Sequence, residues 1–385
     1  MIKKSIFLLS FATATLFATP SSYDPTNQEF LKYKQSQEDA FANYKKEQEE
    51  AYKNYKKELG VYWEKPEVSS KKKIVSYSED KKSKTLIDFE KDKVKIEVIA
   101  SSKKEAEQKI KLALAKAITV DTKTFVKTDP LEKKLSKIQK PTNVVDSRVN
   151  AVPILSTVVF KKPPTKKSVY TYVTKKVQRQ NISTKKSKLK NKKVYTLNVN
   201  LPKGATYKRS KLYYDDVRKN AQKQNLPLSL VYAIMHSESS FNPLARSHVP
   251  AYGLMQIVPK TAGIDSYFFL YKQKKLVSSH YLYNAQNNIK MGSAYLHILY
   301  YSYLKKIKNP QSRLYCTIAA YNTGAGNIAW AFTRQYNMTR AAKEINKLTP
   351  QQVYDHLLKN LRFDEPKHYL VKVNKRMKIY KKIYG

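Results

Sequence analysis

Glu238 stands where the sequence predicts a buried position on a helix. Val231, Ile234, Met235 and Glu238 follow the spacing i, i+3, i+4, i+7, which places their side chains on one helical face. Because the rest of that face is apolar, the carboxyl is expected to lose contact with water, and desolvation raises the pKa of a carboxylic acid. A carboxyl that stays protonated near neutral pH can act as a general acid. The alternative is a glutamate at the helix end that is simply exposed to water.

Acidic residues are scarce around Glu238. Between Val217 and Lys343 the sequence contains only Glu238 and Asp265. A glycosidase that uses two carboxylates needs a second acid close to the first, so the partner would be Asp265 or an acid from Glu344 onward. If the chain is an enzyme, the sequence therefore favours chemistry that depends on a single carboxyl.

Other familiar catalytic and cofactor patterns do not occur in the sequence. The histidines have no metal-ligand spacing, and there is neither a GxSxG motif nor a Walker loop. Cys316 is the only cysteine, which excludes a Cys-type zinc site and an intrachain disulfide. Beside Leu314 and Ile318, it is expected to be a small buried residue. We expect neither a metal nor a cofactor.

Helical patterns dominate from residue 205 onward and would position Glu238. Thr349 begins a capping box, Thr-Pro-Gln-Gln, with proline at the first helical position. Further helices are predicted at Leu228–Ser239, Asn288–Leu304, Ser312–Tyr321, Gly326–Tyr336 and Pro366–Tyr380. These periodic runs, joined by short loops, predict an all-α domain over residues 205–385.

The N-terminal half follows a different pattern. Within residues 27–59 aromatic pairs recur every 11 residues, close to three helical turns, so residues 26–60 are predicted to form one long helix with an aromatic stripe. Gly60 would end this helix as a C′ glycine, and the stripe would either pack on the next domain or bind a protein partner. Residues 61–204 are predicted to form an α+β accessory domain, with a helix at Ser102–Ile118 and strands at Lys73–Tyr77, Thr85–Phe89, Val94–Ile99, Val169–Val177 and Lys193–Leu201.

Ordered motifs carry a resemblance to a known family. Those that resemble the motifs of the family 1 lytic murein transglycosylases are Glu238–Ser247, Gly253–Ala262, Ala320–Gly324 and, as a fourth, Tyr369–Val373. The N-terminal half is similar to the accessory domain of the membrane-bound type C group of that family, through Gly60–Trp63, Pro66–Ser70 and Asp88–Glu90. The resemblance implies an α+β chain in which a long helix and an accessory domain precede an all-α, goose-lysozyme-like catalytic domain.

The resemblance also implies a reaction. Members of this family cleave the β-1,4 bond between N-acetylmuramic acid and N-acetylglucosamine in peptidoglycan, without water as the acceptor. Glu238 would act first as the acid and then as the base, and the product would carry a 1,6-anhydro ring. The substrate's acetamido group would assist in place of a second carboxylate. Two alternatives stand beside this reading: a lysozyme-type hydrolase of the same bond, and a non-catalytic peptidoglycan-binding scaffold.

Four residues are expected to contact the substrate if the family's motifs are carried over by position. Ser239 would hydrogen-bond near the cleaved bond, although it could instead be an ordinary helix cap. Met255 and Gln256 would line the sugar cleft, or pack on the core as part of a loop. Asn322 would contact sugar, or belong to a turn at the end of a helix.

Three more residues would shape the site. Tyr321 would orient Glu238 through its hydroxyl, and Tyr369 would face the cleft from the last helix, where core packing is the alternative. Gly253 would allow a close backbone approach or a positive φ, as glycine can, or form a plain turn.

The chain carries a strong basic excess. With 74 Lys and Arg against 30 Asp and Glu its formal net charge is +44, and residues 147–214 contain 18 basic residues and no acidic one. Such a charge predicts an anionic partner. We expect this to be the glycan strands of peptidoglycan, whose stem peptides and lactyl groups bear carboxylates, and peripheral contact with an anionic membrane surface is left open. The alternative is a general lysine bias of the source genome, which needs no anionic partner.

The N-terminus predicts export. Lys3 and Lys4 precede the apolar run Ile6–Ala18, a combination typical of a secretory signal peptide over residues 1–18. The run is too short to span a bilayer, and no cysteine follows it that could accept a lipid. We therefore expect a periplasmic protein, with outer-membrane association left open, and export argues against nucleic acid as the partner.

Overall fold

The computed structural model describes residues 28–141, 144–179, 182–247 and 250–384. In the first half of the chain, one long helix precedes a sheet and the helices that cover it. The helices are α1 (Gln28–Gly60), α2 (Lys103–Thr119), α3 (Thr122–Thr128), α4 (Pro130–Ser136), α5 (Ser156–Val159) and α6 (Lys166–Arg179). The strands are β1 (Lys73–Tyr77), β2 (Ser83–Asp88), β3 (Lys93–Ala100), β4 (Val144–Val145), β5 (Ser183–Lys186) and β6 (Lys193–Asn200).

The second half is built almost entirely from helices. They are α7 (Ala205–Lys211), α8 (Tyr214–Lys223), α9 (Leu228–Glu238), α10 (Ile264–Tyr271), α11 (Ser279–Tyr283), α12 (Ala285–His297), α13 (Pro310–Thr323), α14 (Ala325–Thr333), α15 (Met338–Ile345), α16 (Pro350–Asn360) and α17 (Asp364–Tyr384). Two π-helical turns, Pro259–Gly263 and Ile298–Tyr303, and the short strand β7 (Leu276–Val277) complete it. The predicted α+β fold is confirmed. None of the described helices combines the length and the apolarity that a membrane span requires.

The larger sheet has the strand order β1-β2-β3-β6-β5, and its neighbouring strands are antiparallel. Along the central strand β3, Val94, Ile96 and Val98 are fully buried. These three side chains share one apolar core with Ile110 and Leu114 of α2, which lie four residues apart on one helical face. The alternating apolar residues of β3 and the apolar residues four positions apart in α2 therefore pack in the same core, as the sequence predicts.

The strand predicted at Val169–Val177 is wrong, because this segment lies within helix α6. Its β-branched residues suit a strand, but Val169, Val173 and Val177 are also four residues apart and so share a helical face. Val173 and Val177 are buried against the main core. The sequence holds a helix-start signal as well, since Thr165 and Ser168 exchange side-chain to backbone hydrogen bonds of 2.9 and 3.2 Å.

Helix α1 ends at Gly60, but not through a left-handed cap. Gly60 is the last helical residue, and the described glycines with positive φ are Gly204, Gly253 and Gly324. The described part of the aromatic stripe packs on the following domain: Tyr55 is buried, and its ring meets that of Tyr77 edge-on at 6.2 Å. The first members of the stripe, Phe30, Tyr33 and Phe41, lie outside the described side chains.

Arg209 of α7 joins the sheet to the helical half. It is almost fully buried, and its guanidinium forms an ion pair of 2.8 Å with Asp92, between β2 and β3. The same guanidinium donates to the carbonyl of Phe89 at 2.8 Å and to that of Ser240, just after α9, at 3.3 Å. One buried side chain thus holds three separate parts of the chain together.

Replacement of this side chain is therefore expected to destabilise the whole fold. Arg209→Ala leaves the carbonyls of Phe89 and Ser240 without their donor, and breaking a buried ion pair typically costs about 3–5 kcal/mol. Urea unfolding should report this loss in the free energy of unfolding. Lys211→Ala, in the same helix but exposed, should stay within about 1 kcal/mol of the parent protein. Equal effects of the two substitutions would contradict the role given to Arg209.

Candidate active site

Glu238 is the last residue of α9, and its side chain is buried, with 6% of its surface exposed. The helix brings it there because Leu230–Met235 are completely buried. Burial raises the pKa of the Glu238 carboxyl. The charges of Lys71 and Lys72 lower this pKa, and that of Glu365 raises it further. The structure places Glu238 in a buried position, and this burial shifts the carboxyl toward its protonated form.

Two buried tyrosines interact electrostatically with the Glu238 carboxyl. Tyr369, on α17, has a buried hydroxyl with no hydrogen-bond partner of ordinary geometry, yet its interaction with Glu238 lowers the pKa of that carboxyl. Tyr321, on α13, donates instead to the carbonyl of Met255 at 2.8 Å. Burial raises the pKa of both tyrosines, so both keep their protons as donors. The hydrogen bond expected from Tyr321 to Glu238 is therefore replaced by one to the neighbouring loop.

Ser239 connects the end of α9 to the same loop. Its fully buried hydroxyl lies 2.8 Å from the carbonyl of Leu254 and 3.0 Å from that of Met235, and accepts from the backbone of Phe241 at 3.1 Å. Ser240 and Phe241 then adopt positive φ angles of 52° and 63°, which are uncommon for residues with a Cβ. The Ser239 side chain thus fixes a tight turn directly after the carboxyl.

Gly253 meets both conditions that the sequence left as alternatives. Its φ is +75°, and a Cβ there would lie 2.3 Å from the carbonyl of Leu282 and from Nδ2 of Asn288. Asn288, on α12, is fully buried; it donates to the carbonyl of Tyr252 at 2.8 Å and accepts from the backbone of Met255 at 2.8 Å. The sequence analysis missed Asn288, although an asparagine on the buried face of a helix is a signal of a polar role.

Met255 and Gln256 have different surroundings. Met255 is fully buried and packs on α12, where a Cβ at Gly292 would lie 2.3 Å from its sulfur. Gln256 has a φ of 51° and is buried; its Nε2 donates to the carbonyl of Gly253 at 3.1 Å, whereas its Oε1 has no partner. Of the two side chains, only Gln256 offers a buried polar atom that is free to meet a ligand.

Asn322 lies in the last turn of α13, next to Tyr321. Its side chain is half-buried and forms no hydrogen bond with the described residues of the protein. The helix ends two residues later at Gly324, whose φ is +85°. Asn322 therefore presents a free amide at the same edge as Tyr321.

Comparison with known proteins identifies the part of the chain that holds these residues. Residues 215–345 match the Transglycosylase SLT domain. The SLT region thus includes Glu238 and the other residues described above, except Tyr369 of α17 and the charged residues Lys71, Lys72 and Glu365.

Similar proteins carry related names. The chain is 43% identical over 189 residues to the membrane-bound lytic murein transglycosylase C of Serratia proteamaculans, an alignment that covers 49% of this chain and 52% of that protein. With the protein of the same name from Sodalis glossinidius it shares 41% identity over 191 residues, 50% of this chain and 53% of the relative. The chain thus spans about half the length of these relatives. The 70 kDa soluble lytic transglycosylase of Escherichia coli matches 45% of this chain and 24% of its own, at 25% identity and a TM-score of 0.35.

The SLT region receives charged residues from the accessory half, and the sequence analysis missed them. Asn242, in the turn after α9, donates to the carbonyl of Lys71 at 3.2 Å and so fixes the segment that precedes β1. The Lys71 ammonium lies 3.9 Å from the carboxylate of Glu365, at the start of α17. Both charges act on Glu238, although more than 100 residues separate each of them from it in the sequence. No local pattern could have connected them.

Asp265 is not the carboxylate partner of Glu238. On α10 it accepts a hydrogen bond of 3.0 Å from the hydroxyl of Tyr303, and its charge is not among those that shift the pKa of Glu238. Of the acids that the sequence left as candidates, Glu365 is the one whose charge is among the main causes that shift the pKa of Glu238.

A pair of glycine substitutions tests the close packing of the SLT loop. Gly253 and Gly204 share a φ of +75°, but a Cβ at Gly204 would meet no atom within 4 Å. Gly204→Ala should therefore lower the free energy of unfolding by about 1–2 kcal/mol, because only the left-handed backbone conformation strains the new residue. Gly253→Ala should cost about 1–3 kcal/mol more, because its Cβ collides with Leu282 and Asn288. Urea unfolding measures both free energies, and equal losses would refute the steric role of Gly253.

Proposed function

We propose that the chain is a peptidoglycan lytic transglycosylase in which Glu238 is the single general acid and base. The observation that carries this proposal is the buried Glu238 carboxyl with a raised pKa, at the end of α9 in a region that matches the Transglycosylase SLT domain. The names of the relatives support the same reaction class.

In the proposed reaction the β-1,4 bond between N-acetylmuramic acid and N-acetylglucosamine breaks. Protonated Glu238 gives its proton to the leaving glycosidic oxygen, and the bond from C1 to that oxygen breaks. The C6 hydroxyl of the same muramoyl residue then forms a bond to C1 and returns its proton to Glu238. Because the attacking hydroxyl belongs to the substrate, proximity supplies part of the rate. The product carries a 1,6-anhydro ring, and the acetamido group assists at C1.

The site residues divide into two proposed groups. Gln256 Oε1 has no hydrogen-bond partner among the described residues, and the Tyr369 hydroxyl has none of ordinary geometry. We assign both, together with the half-buried Asn322 amide, to hydrogen bonds with sugar. A second group, Ser239, Gly253, Met255 and Tyr321, is buried or hydrogen-bonded to the backbone. We assign this group to the shape of the cleft wall rather than to direct sugar contact, since their polar atoms already have partners.

A lysozyme-type hydrolase is the second candidate, and Glu365 is the observation that favours it. A second carboxylate near Glu238 could activate water or stabilise a cation. Glu365 is, however, 73% exposed at its side chain and paired with Lys71. We therefore keep the single-carboxyl reaction as the proposal.

We also propose a cellular location and a domain organisation for the chain. Residues 1–18 lie outside the described residues, and we propose that they direct export to the periplasm. The names of the relatives include the word membrane-bound, and outer-membrane association or peripheral contact with an anionic membrane is proposed for this chain.

The accessory domain over 61–204 and the catalytic domain over 205–385 remain proposed units, supported by the change from strands to helices after β6. Glycan strands are the proposed partner, without nucleic acid.

Product analysis on purified sacculi tests the reaction. The wild-type chain should release muropeptides that are lighter by one water than hydrolysed ones, as measured by mass spectrometry. Glu238→Gln should lower the rate at least about 100-fold, because general acid–base catalysis is lost. Asp265→Asn, which alters the other acid between residues 217 and 343, is the matched control and should retain the rate. Reducing ends at every cut would favour the hydrolase, and a wild type that clears no sacculi would favour the scaffold.

The pH dependence should report the charges around Glu238. Because burial raises its pKa, the acid stays protonated to higher pH than an exposed glutamate, and the rate should fall as pH rises through that pKa. Lys71→Met removes a charge that lowers this pKa, so the alkaline limb should move to higher pH. Glu365→Gln removes a charge that raises it, so the limb should move to lower pH.

Rate profiles of the three proteins between about pH 4 and 9 give the measurement. Shifts in the same direction for both variants would contradict the electrostatic assignment. Complete loss of activity in Glu365→Gln would favour the two-carboxylate hydrolase instead.

A further inference from the structure

A cavity of about 740 Å³ lies between α1, the segment that leads into β1, and the loop after α9. This volume is typical of a ligand pocket. Lys53 and Lys56 contribute to it from α1, and Arg246 and Pro250 from the loop. Neither the catalytic carboxyl nor the sugar-facing residues proposed above line it, so it is a separate site.

The cavity and the catalytic carboxyl share a wall. Ser70, Lys71 and Lys72 line the cavity, and the positive charges of both lysines reach Glu238. Asn242, four residues after Glu238, donates to the Lys71 carbonyl at 3.2 Å and holds this wall in place. A ligand in the cavity would therefore lie beside a substrate whose cleaved bond is at Glu238.

The residues that line the cavity retain a net positive charge after each acid is paired with a lysine. Each acid has a lysine within ion-pairing distance: Glu49 has Lys45, Asp88 has Lys73, and Glu90 has Lys72. By contrast, Lys53 and Lys56 have no carboxylate within 4.0 Å among the described residues. Two exposed ammonium groups at a concave wall attract anions.

Arg246 adds a buried cation to this surplus. Its side chain is 6% exposed, and the guanidinium stacks on the rings of Tyr52 at 4.4 Å and Tyr252 at 5.2 Å. Its described polar contact is Oε1 of Gln48 at 3.3 Å, and no described carboxylate lies within 4.0 Å of it, although the charge of Glu132 acts on it from a greater distance. Guanidinium is suited to binding a carboxylate with two parallel hydrogen bonds. The wall around it, with Tyr52 and Val68, also offers apolar surface for alkyl groups.

We propose that this cavity binds the carboxylate-bearing stem peptide of the peptidoglycan strand that is cut at Glu238. The inference rests on the proposed function, which places a muramoyl residue at Glu238. The peptide is attached to the lactyl group of that sugar, so its carboxylates are near the shared wall. Free inorganic anions would not use the apolar wall or the full volume.

Direct binding tests the site without any catalysis. The probe is the tetrapeptide that an amidase releases from sacculi, titrated calorimetrically into the full chain. It should bind the wild type, and the same peptide with amidated carboxylates should bind at least about tenfold more weakly. Lys53→Glu with Lys56→Glu should weaken binding about tenfold. Lys46→Glu with Lys57→Glu is the matched control: it makes the same charge change on exposed residues of α1 that do not line the cavity, and should bind like the wild type.

Strand cutting supplies the second measurement. The ratio of rates on peptide-bearing and amidase-stripped glycan should fall about tenfold in the Lys53 and Lys56 double variant relative to the control pair. If no strand is cut by the wild type, the proposed function fails, whereas the peptide titration still decides on the cavity. Strands cut without preference, together with equal peptide binding by both double variants, would overturn the assignment of the cavity and leave the transglycosylase proposal intact.

Discussion

Exclusion of water from the Glu238 carboxyl is the constraint on which the site depends. An ionised carboxylate out of water is costly, so burial shifts the group toward its protonated form. Helix α9 enforces this burial because Leu230–Met235 are completely buried and anchor the helix in the core, which leaves only 6% of Glu238 exposed. The turn that follows is held by Ser239, whose hydroxyl lies against backbone carbonyls on both sides. Local strain at Ser240 and Phe241 is tolerated because these contacts over-determine the turn.

The accessory half is part of this electrostatic environment. It delivers Lys71 to the neighbourhood of Glu238, while α17 delivers Glu365. The two charges act in opposite directions, so the protonation of Glu238 reflects their balance as well as burial. Arg209 and Asn242 keep the accessory segment against the helical half through hydrogen bonds to backbone carbonyls. This arrangement gives the accessory half a role beyond support, since its Lys71 contributes to the field at the carboxyl.

Unpartnered polar atoms distinguish the residues proposed to face sugar from those proposed to support them. Buried polar groups normally have hydrogen-bond partners, and the supporting residues obey this rule through Asn288 and Tyr321. Gln256 Oε1 and the Tyr369 hydroxyl depart from it. Two such departures on separate elements are consistent with a site completed by a ligand rich in hydroxyl and amide groups.

The sequence by itself determined the features that depend on neighbours along one element. The apolar spacing before Glu238 predicted a buried position, and the β-forming residues of Val94–Ile99 predicted strand β3. The capping box at Thr349 predicted the start of α16. The strand prediction for residues 169–177 was wrong because the valines fit both a strand and one face of a helix. The local pattern does not distinguish the two, and packing on the core selected the helix. Short helices such as α3 and α7 were also missed, since so few residues give little periodic signal and tertiary contacts stabilise them.

Only the tertiary structure decided which distant groups meet. It directed the Tyr321 hydroxyl to the Met255 carbonyl, placed Met255 in the core against α12, and brought Lys71 and Glu365 into the field of Glu238. Periodicity constrains residues three or four positions apart, because they share a face. Contacts between residues a hundred or more positions apart depend on how whole elements pack, and no spacing in the sequence encodes that.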